Sequence, residues 1–248
     1  MRFSLHTGTW HEVGARARQS HVTDILVQLA KQHGSLAATE AYLENWRLLG
    51  IRGKVLDIGC GAAQKVQVMQ RWSGTSAFGC DLDIRVLRFA KHSAGIPRLA
   101  AASGIELPFA SASFDWITAS EVIEHLSEPS ALLCEAHRVL KPGGRLLLTT
   151  PNRLQYYRPW RPVLFWRGFC GRVVVDESHV REFSARELQR EVAPWFTTES
   201  VRFTGTLCGR PLRLDITALP RFLQSIWAQG LLLVARKPEV SGRPTSNA

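Results

Sequence analysis

The chain has 248 residues and a formal net charge of +10, with 45% hydrophobic and 21% charged residues. These proportions are typical of one soluble globular domain, or of two small ones, and exclude a disordered chain or a fibre. The sequence contains no run of about 18 apolar residues, and its start lacks the apolar core of a signal peptide. We therefore expect a cytoplasmic protein.

The cysteines and the charge bear on compartment and partners. The five cysteines are scattered and form no CxxC pair, so we expect reduced thiols rather than a disulfide framework or a zinc knuckle. The 31 Lys and Arg residues exceed the 21 Asp and Glu residues. This excess suits nucleic acid, anionic lipid or an anionic small substrate, or simply solubility, and leaves the partner open.

Two kinds of apolar spacing follow one another along the chain. Residues 15–49 have helical spacing, broken near Gly34, and predict a helical extension over residues 1–50. From Lys54 onward, short apolar strands alternate with helix-spaced segments, which predicts crossover connections and a parallel sheet with helices on both faces. The predicted strands are residues 54–59, 76–81, 97–102, 114–120, 144–150, 200–206 and 230–236.

The fold class predicted from this rhythm is α/β, with a doubly wound, mostly parallel seven-stranded sheet in a domain over residues 51–237. The domain contains an insert at residues 153–175. A capping box from Ser184 to Glu187 predicts the start of a helix after that insert. The composition of residues 238–248 predicts a disordered tail.

The first predicted strand ends in a glycine turn. Gly59 and Gly61 permit a ligand to approach the backbone, but the third glycine of a dinucleotide fingerprint is replaced by Gln64. Asp57 stands at this turn, and a carboxylate there would repel a pyrophosphate. It would attract the ammonium and sulfonium groups of S-adenosylmethionine. Charge therefore favours a cationic methyl donor over a phosphate-bearing coenzyme.

The second predicted strand ends at Asp81, about 20 residues beyond the glycines, where such folds place an acid on ribose hydroxyls. We therefore expect Asp81 to bind the ribose. The alternative is that Asp81 caps the next helix, a role that Asp83 fits equally well.

Five motifs then carry a family resemblance. They are VLDIGCG, GCDLD, the LPF-x4-SFD run, SEVIEHL and RVLKPGGRLLLTTPN. With these motifs, residues 54–152 resemble class I S-adenosylmethionine-dependent methyltransferases of type 11. The resemblance implies a seven-stranded sheet, S-adenosylmethionine over the glycine turn, and methyl transfer to a nucleophile. The expected cofactor-binding residues are Asp57, Gly59, Cys60, Gly61, Asp81, Leu82, Ser103, Gly104, Ser120 and Glu121. Related proteins often have an Asp for the adenine amino group where this chain has Ser103, so that contact is weaker or made otherwise.

The acceptor side follows the fourth predicted strand. Amino-directed nucleic-acid methyltransferases resemble one another in an [Asp/Asn]-Pro-Pro-aromatic motif, which is absent from residues 120–123. We therefore expect an oxygen, sulfur or carbon acceptor. His125 is the candidate general base, because an imidazole with a pKa near ~6.5 can take a proton from a hydroxyl at neutral pH. The alternative is that His125 only closes a turn.

A metal site is a further possibility. Glu121, Glu124 and His125 have the i, i+3, i+4 spacing that shares one helical face, and His179 is a fourth candidate ligand. The set resembles the ubiquinone-pathway O-methyltransferases and the small-RNA 2'-O-methyltransferases, which implies a divalent ion and a catalytic role for His125 and His179. The same string also occurs in methyltransferases not known to use a metal. The carboxylates are then solvated or hydrogen-bonded.

The insert combines cations with aromatic rings and contains no acid between residues 153 and 175. Its arginines are Arg153, Arg158, Arg161, Arg167 and Arg172. We expect a lid over an apolar acceptor pocket, with peripheral membrane contact and RNA as alternative partners. The leading hypothesis is an S-adenosylmethionine-dependent methyltransferase acting on oxygen of a small or lipidic acceptor. An RNA 2'-O-methyltransferase and a non-catalytic cofactor-binding scaffold are the alternatives.

Overall fold

The structure is a computed structural model that describes residues 36–155, 178–204, 206–208, 213–215, 220–221, 224–225 and 228–239. The chain divides into two compact units, residues 1–49 and residues 50–248. Among the described residues, no helix combines the length and the apolar character that crossing a bilayer requires.

The first unit contributes one described helix, α1 (Leu36–Arg47). Leu43 and Trp46 are buried on this helix, and the ring of Tyr42 lies 5.6 Å from that of Trp46 between centroids. The predicted helical segment before Gly34 lies outside the described residues.

The described residues of the second unit form nine strands. They are β1 (Gly53–Ile58), β2 (Thr75–Asp81), β3 (Leu99–Ala101), β4 (Phe114–Ser120), β5 (Leu140–Pro151), β6 (Thr197–Thr204), β7 (Thr206–Cys208), β8 (Arg213–Asp215) and β9 (Gly230–Arg236). Seven of them form one sheet in the order β3-β2-β1-β4-β5-β9-β6, and β7 pairs with β8 separately. Strands β1 to β5 pair in parallel, whereas β9 is antiparallel to both of its neighbours.

The strand order reverses at β1, which pairs with β2 on one side and with β4 on the other. In open α/β sheets, ligands bind outside the carboxyl ends of the strands at such a reversal. Residues 55–58 of β1 are buried without interruption, because a parallel strand at the centre of the sheet has both faces covered. We therefore expect a ligand site at the carboxyl ends of β1 and β4.

Four described helices connect these strands: α2 (Gln64–Met69), α3 (Ile84–Ala94), α4 (Pro129–Val139) and α5 (Ala185–Val192). Asp83 caps α3 by accepting a hydrogen bond from the backbone N–H of Arg85. The capping box predicted at α5 is present, with Ser184 and Glu187 each bonded to the other's backbone N–H.

One arginine holds the loop that precedes β4 against α4. Arg138 donates to the carbonyls of Leu107 (2.9 Å) and Phe109 (2.8 Å) and pairs with Glu135. Glu135 in turn accepts a hydrogen bond from the Leu107 backbone N–H. The LPF run of the sequence is thus fixed to α4 by charge-assisted hydrogen bonds.

The predicted fold class is confirmed, and all seven predicted strands are present in the sheet. Strand β5 begins at Leu140 rather than at residue 144, because a register shift between Phe114 and Trp116 lets its start pair with β4. The small β7–β8 sheet was not predicted. Most of the predicted insert and tail lies outside the described residues.

Candidate active site

The glycine turn joins β1 to α2 through three residues with left-handed backbone. Gly59, Gly61 and Ala63 have φ values of 68°, 51° and 57°. A Cβ atom on Gly59 would lie 2.5 Å from Val122 Cγ2, so glycine is required for this close approach. The turn is thereby packed against the loop that follows β4.

Asp81 ends β2 beside this turn, with its carboxylate fixed at both oxygens. Oδ2 accepts a hydrogen bond from the Gly61 backbone N–H (2.8 Å), and Oδ1 accepts one from the Asp83 backbone N–H (2.9 Å). The helix cap is provided by Asp83. Asp81 therefore lies at the carboxyl edge of the sheet, where the expected ribose contact would be made.

Asp57 is buried beneath the turn instead of standing at its mouth. Its Oδ1 accepts a hydrogen bond from Thr118 Oγ1 (2.8 Å), and its Oδ2 lies 3.9 Å from Lys65 Nζ. Burial raises the pKa of Asp57, and the nearby Lys65 and Thr118 oppose the rise. Because residue 57 lies within a doubly covered strand, its carboxylate can act on a ligand only through its charge, which Lys65 opposes.

Cys60 contributes packing rather than a reactive group. Its backbone N–H donates to the Cys80 carbonyl (3.0 Å), and a Cβ on Gly79 would lie 2.8 Å from its Sγ. Burial raises the pKa of both thiols, that of Cys80 to about 12. Both thiols are therefore protonated at neutral pH and are not nucleophiles.

The remaining cofactor candidates differ in their surroundings. Leu82 is 54% exposed beside Asp81 and offers an apolar surface there. Ser103 Oγ accepts a hydrogen bond from the backbone two residues later (3.3 Å), and Gly104 is packed tightly against the core. Within the described part of the chain, the buried Ser120 Oγ has no hydrogen-bond partner.

The helical face predicted to hold Glu121, Glu124 and His125 does not form. Glu121 has a φ of 53°, and a 3₁₀ turn covers Ile123–His125 alone. Glu121 is exposed and accepts a hydrogen bond from Thr149 Oγ1 (3.2 Å), whereas Glu124 is fully buried. The helical turn expected at Glu121 is therefore absent, because the chain leaves β4 in the left-handed conformation, although Glu121 remains close enough for its charge to act on Glu124.

His179 reaches the 3₁₀ turn through main-chain hydrogen bonds. The backbone N–H groups of Val180 and Arg181 both donate to the Glu124 carbonyl, at 2.9 and 3.1 Å. The rings of His125 and His179 lie edge to face, with centroids 4.9 Å apart. Ligand atoms of Glu124, His125 and His179 all lie within 4.8 Å of one another. The structure thus brings together three of the four predicted cluster residues.

The hydrogen bonds of the two histidines orient their rings. His125 Nδ1 lies 3.1 Å from the Ser178 carbonyl oxygen and 3.2 Å from Ser178 Oγ, a hydroxyl that can donate or accept. When Nδ1 donates to the carbonyl, the neutral ring has its unprotonated nitrogen at Nε2. His179 Nδ1 lies 3.5 Å from Glu182 Oε1, which favours the same tautomer. Such second partners orient an imidazole that serves as a base or as a metal ligand.

Glu124 combines burial with a neighbouring negative charge. Its Oε2 accepts a hydrogen bond from Thr150 Oγ1 (3.1 Å), and its buried Oε1 has no hydrogen-bond partner among the described residues. Burial, and then the charge of Glu121, raises the pKa of Glu124 to about 8. Its surroundings therefore favour the protonated, neutral form of the carboxyl group.

Four residues of this site were not predicted from the sequence. Thr118 in β4 donates a hydrogen bond to Asp57, and Thr150 in β5 donates one to Glu124. A polar residue within an apolar strand is a sequence signal that could have identified both threonines. Lys65 and Ser178 contact Asp57 and His125, and no sequence pattern marks either of them.

Comparison with known proteins bears on this site. Residues 56–148 match the family model described as a methyltransferase domain. The chain is 34% identical over 120 residues to the ubiquinone biosynthesis O-methyltransferase of Pseudomonas aeruginosa strain LESB58, covering 44% of this chain and 50% of that protein. It is 37% identical over 93 residues to the demethylmenaquinone methyltransferase of Corynebacterium kroppenstedtii, covering 38% and 39%. The chain thus spans half the length or less of these relatives.

A solved structure supports the fold. A SAM-dependent methyltransferase from Archaeoglobus fulgidus superposes with a TM-score of 0.63 at 18% sequence identity. The match covers 86% of this chain and 99% of that one. The likeness to this structure is one of fold, and the strand order and glycine turn agree with the match of residues 56–148 to a methyltransferase domain. This is the class of domain that their motifs predicted.

Glu124→Gln should change how stability depends on pH. The pKa of Glu124 is about 8 in the fold, against an ordinary value of 4.5, so the folded protein binds more protons than the unfolded chain between these values. The free energy of unfolding of the wild type should therefore fall as the pH rises through this window, and glutamine should remove that component.

The measurement is urea unfolding at several pH values between about 5 and 8 in the presence of a chelator. Glu106→Gln, at an exposed acid, is the matched control and should retain the wild-type pH dependence. Parallel stability curves for the wild type and Glu124→Gln would contradict the raised pKa.

Proposed function

We propose that this protein transfers the methyl group of S-adenosylmethionine to a hydroxyl oxygen of a small or lipidic acceptor. The observation that carries the proposal is the packing of the glycine turn against the loop after β4, which supports a donor site adjacent to the His125 cluster. Gly59 contacts Val122, and His125 lies in the 3₁₀ turn that follows directly.

The donor side consists of the glycine turn and the acid at the end of β2. The left-handed backbone at Gly59 and Gly61 leaves the turn without side chains at these positions. Asp81, braced by the Gly61 N–H, presents a carboxylate for ribose hydroxyls, and the exposed Leu82 beside it offers an apolar contact for adenine. Ser103 and Gly104 lie in the loop that follows β3.

The acceptor side needs a group that removes a proton. As the acceptor oxygen forms a bond to the methyl carbon, the bond between that carbon and sulfur breaks, and S-adenosylhomocysteine leaves. In the proposed step the hydroxyl proton passes to His125 Nε2, the ring nitrogen that is unprotonated when Nδ1 donates to the Ser178 carbonyl. Alignment of the two substrates makes the larger contribution to the rate, since the sulfonium is already a good leaving group.

The acceptor class is supported by the relatives. The protein from Pseudomonas aeruginosa is named for O-methylation in ubiquinone biosynthesis, and that from Corynebacterium kroppenstedtii is named for demethylmenaquinone. Both names describe quinone-type lipids. We therefore propose a hydroxylated ring compound with an apolar tail as the acceptor, with RNA as the alternative that the net charge of +10 leaves open.

The acceptor proposal predicts which part of a cell extract becomes methylated. The purified protein is incubated with methyl-labelled S-adenosylmethionine and an extract divided into lipid, RNA and small-molecule fractions. Label should enter the lipid fraction, in a product heavier by one CH₂ group in mass spectrometry. Labelling confined to RNA would overturn the acceptor class, and bound cofactor with no product in any fraction would support a non-catalytic scaffold.

His125→Ala should lower turnover far more than cofactor affinity. Loss of a general base costs roughly 10²-fold to 10⁴-fold in kcat, whereas the glycine turn that binds the cofactor is unchanged. The measurements are initial rates with the acceptor found above and calorimetry with S-adenosylhomocysteine. His92→Ala, at an exposed residue of α3, is the matched control. Full activity of His125→Ala would remove His125 from the mechanism.

The same three residues also fit a divalent cation. Glu124, His125 and His179 would hold it, since their ligand atoms are within 4.8 Å of one another and Glu124 Oε1 is buried without a hydrogen-bond partner in the described residues. One carboxylate and two imidazoles form a donor set that such ions accept. A cation bound there would lower the pKa of the acceptor hydroxyl and orient it.

Chelation separates these two roles of His125. If His125 is the base, methyl transfer should survive exhaustive dialysis against a chelator, because no step then requires a metal ion. Rates are compared before and after dialysis, with the chelator removed before the assay. Loss of activity that a divalent cation restores would assign His125 and His179 to a metal site instead.

A further inference from the structure

We propose that Lys65 binds the carboxylate of the cofactor's amino-acid end, an inference that rests on the proposed use of S-adenosylmethionine. That end of the cofactor carries a carboxylate as well as an ammonium and a sulfonium. Its recognition therefore needs a cation in a site that otherwise contains acids. Lys65 follows Gly61 by four residues, in the first turn of α2, and so lies next to the glycine turn.

The geometry leaves the Lys65 ammonium able to donate to a ligand. Lys65 Nζ lies 3.9 Å from Asp57 Oδ2, which is close enough for attraction but too long for a hydrogen bond. The Lys65 side chain is 20% exposed, whereas that of Asp57 is 0% exposed. Of the two side chains, only that of Lys65 is therefore accessible to a ligand that enters from solvent.

The surrounding charges explain why a cation is needed here. Asp57 and Asp81 lie close enough for the charge of Asp81 to act on Asp57, and the charge of Lys65 acts on both Asp57 and Glu121. Without Lys65, these acids would attract the ammonium and sulfonium of the cofactor but repel its carboxylate. Lys65 makes the site complementary to a zwitterion instead of to a simple cation.

A purely structural role for Lys65 makes a different prediction. If Lys65 only offsets the buried charge of Asp57, its removal should lower stability and affect all cofactor analogues alike. If it binds a carboxylate, its removal should affect only ligands that carry one. Two ligands separate these cases: S-adenosylhomocysteine, and its decarboxylated form, which keeps the ammonium, the ribose and the adenine.

The experiment measures both affinities by calorimetry for the wild type, Lys65→Met and Lys65→Arg. Lys65→Met should bind S-adenosylhomocysteine roughly tenfold to a hundredfold more weakly, as expected for a lost charge-assisted hydrogen bond, and should bind the decarboxylated ligand as tightly as the wild type or more tightly. Lys65→Arg should restore the preference for the carboxylate. Asp81→Ala should weaken both ligands, because both contain the ribose.

Three outcomes would overturn the inference: unchanged binding of S-adenosylhomocysteine to Lys65→Met, equal weakening of both ligands by that variant, or no gain in preference for the carboxylate in Lys65→Arg over Lys65→Met. If Lys65→Met does not fold, the variant with both Lys65→Met and Asp57→Asn removes the pair of charges together and gives the same comparison. Failure of the wild type to bind either ligand would instead refute the proposed function. The two failures are therefore distinguishable.

Discussion

The site depends on one steric constraint, the contact between Gly59 and Val122. A Cβ on Gly59 would overlap the valine side chain, so the end of β1 and the loop after β4 approach only because residue 59 is glycine. This contact determines how far the glycine turn lies from the 3₁₀ turn that carries Glu124 and His125. The donor and acceptor halves of the proposed reaction therefore share a boundary made by the glycine turn after β1 and the loop after β4.

The fold could be predicted because buried parallel strands appear in a sequence as short apolar runs between residues that favour turns. The order of motifs from VLDIGCG to TTPN also identified the methyltransferase domain, and the family match confirms it. The site was predicted less completely. Periodicity placed Glu121 on a helix with Glu124, but the left-handed backbone at position 121 keeps Glu121 out of the 3₁₀ turn, although the two acids remain neighbours. Likewise, the charge of Asp57 suggested an exposed carboxylate, but the residue is buried. Both faces of β1 are covered by other parts of the fold, which local sequence does not reveal.

The two buried carboxyl groups have different neighbours. Asp57 has Thr118 and Lys65 beside it, and both oppose the rise in pKa that burial causes. Glu124 accepts a hydrogen bond from Thr150 but stands next to another acid, Glu121, so burial and this neighbouring charge both raise its pKa. The charged form is therefore better supported at Asp57, on the donor side, than at Glu124, on the acceptor side.

The attachment of His179 has a consequence for which substitutions its segment tolerates. The hydrogen bonds that hold this segment run from main-chain N–H groups at positions 180 and 181 to the Glu124 carbonyl, so they do not depend on the identity of those side chains. Arg153 is also held by its main chain, since its N–H donates to the Phe183 carbonyl (2.9 Å). The position of His179 beside His125 is therefore compatible with many side chains at residues 180 and 181.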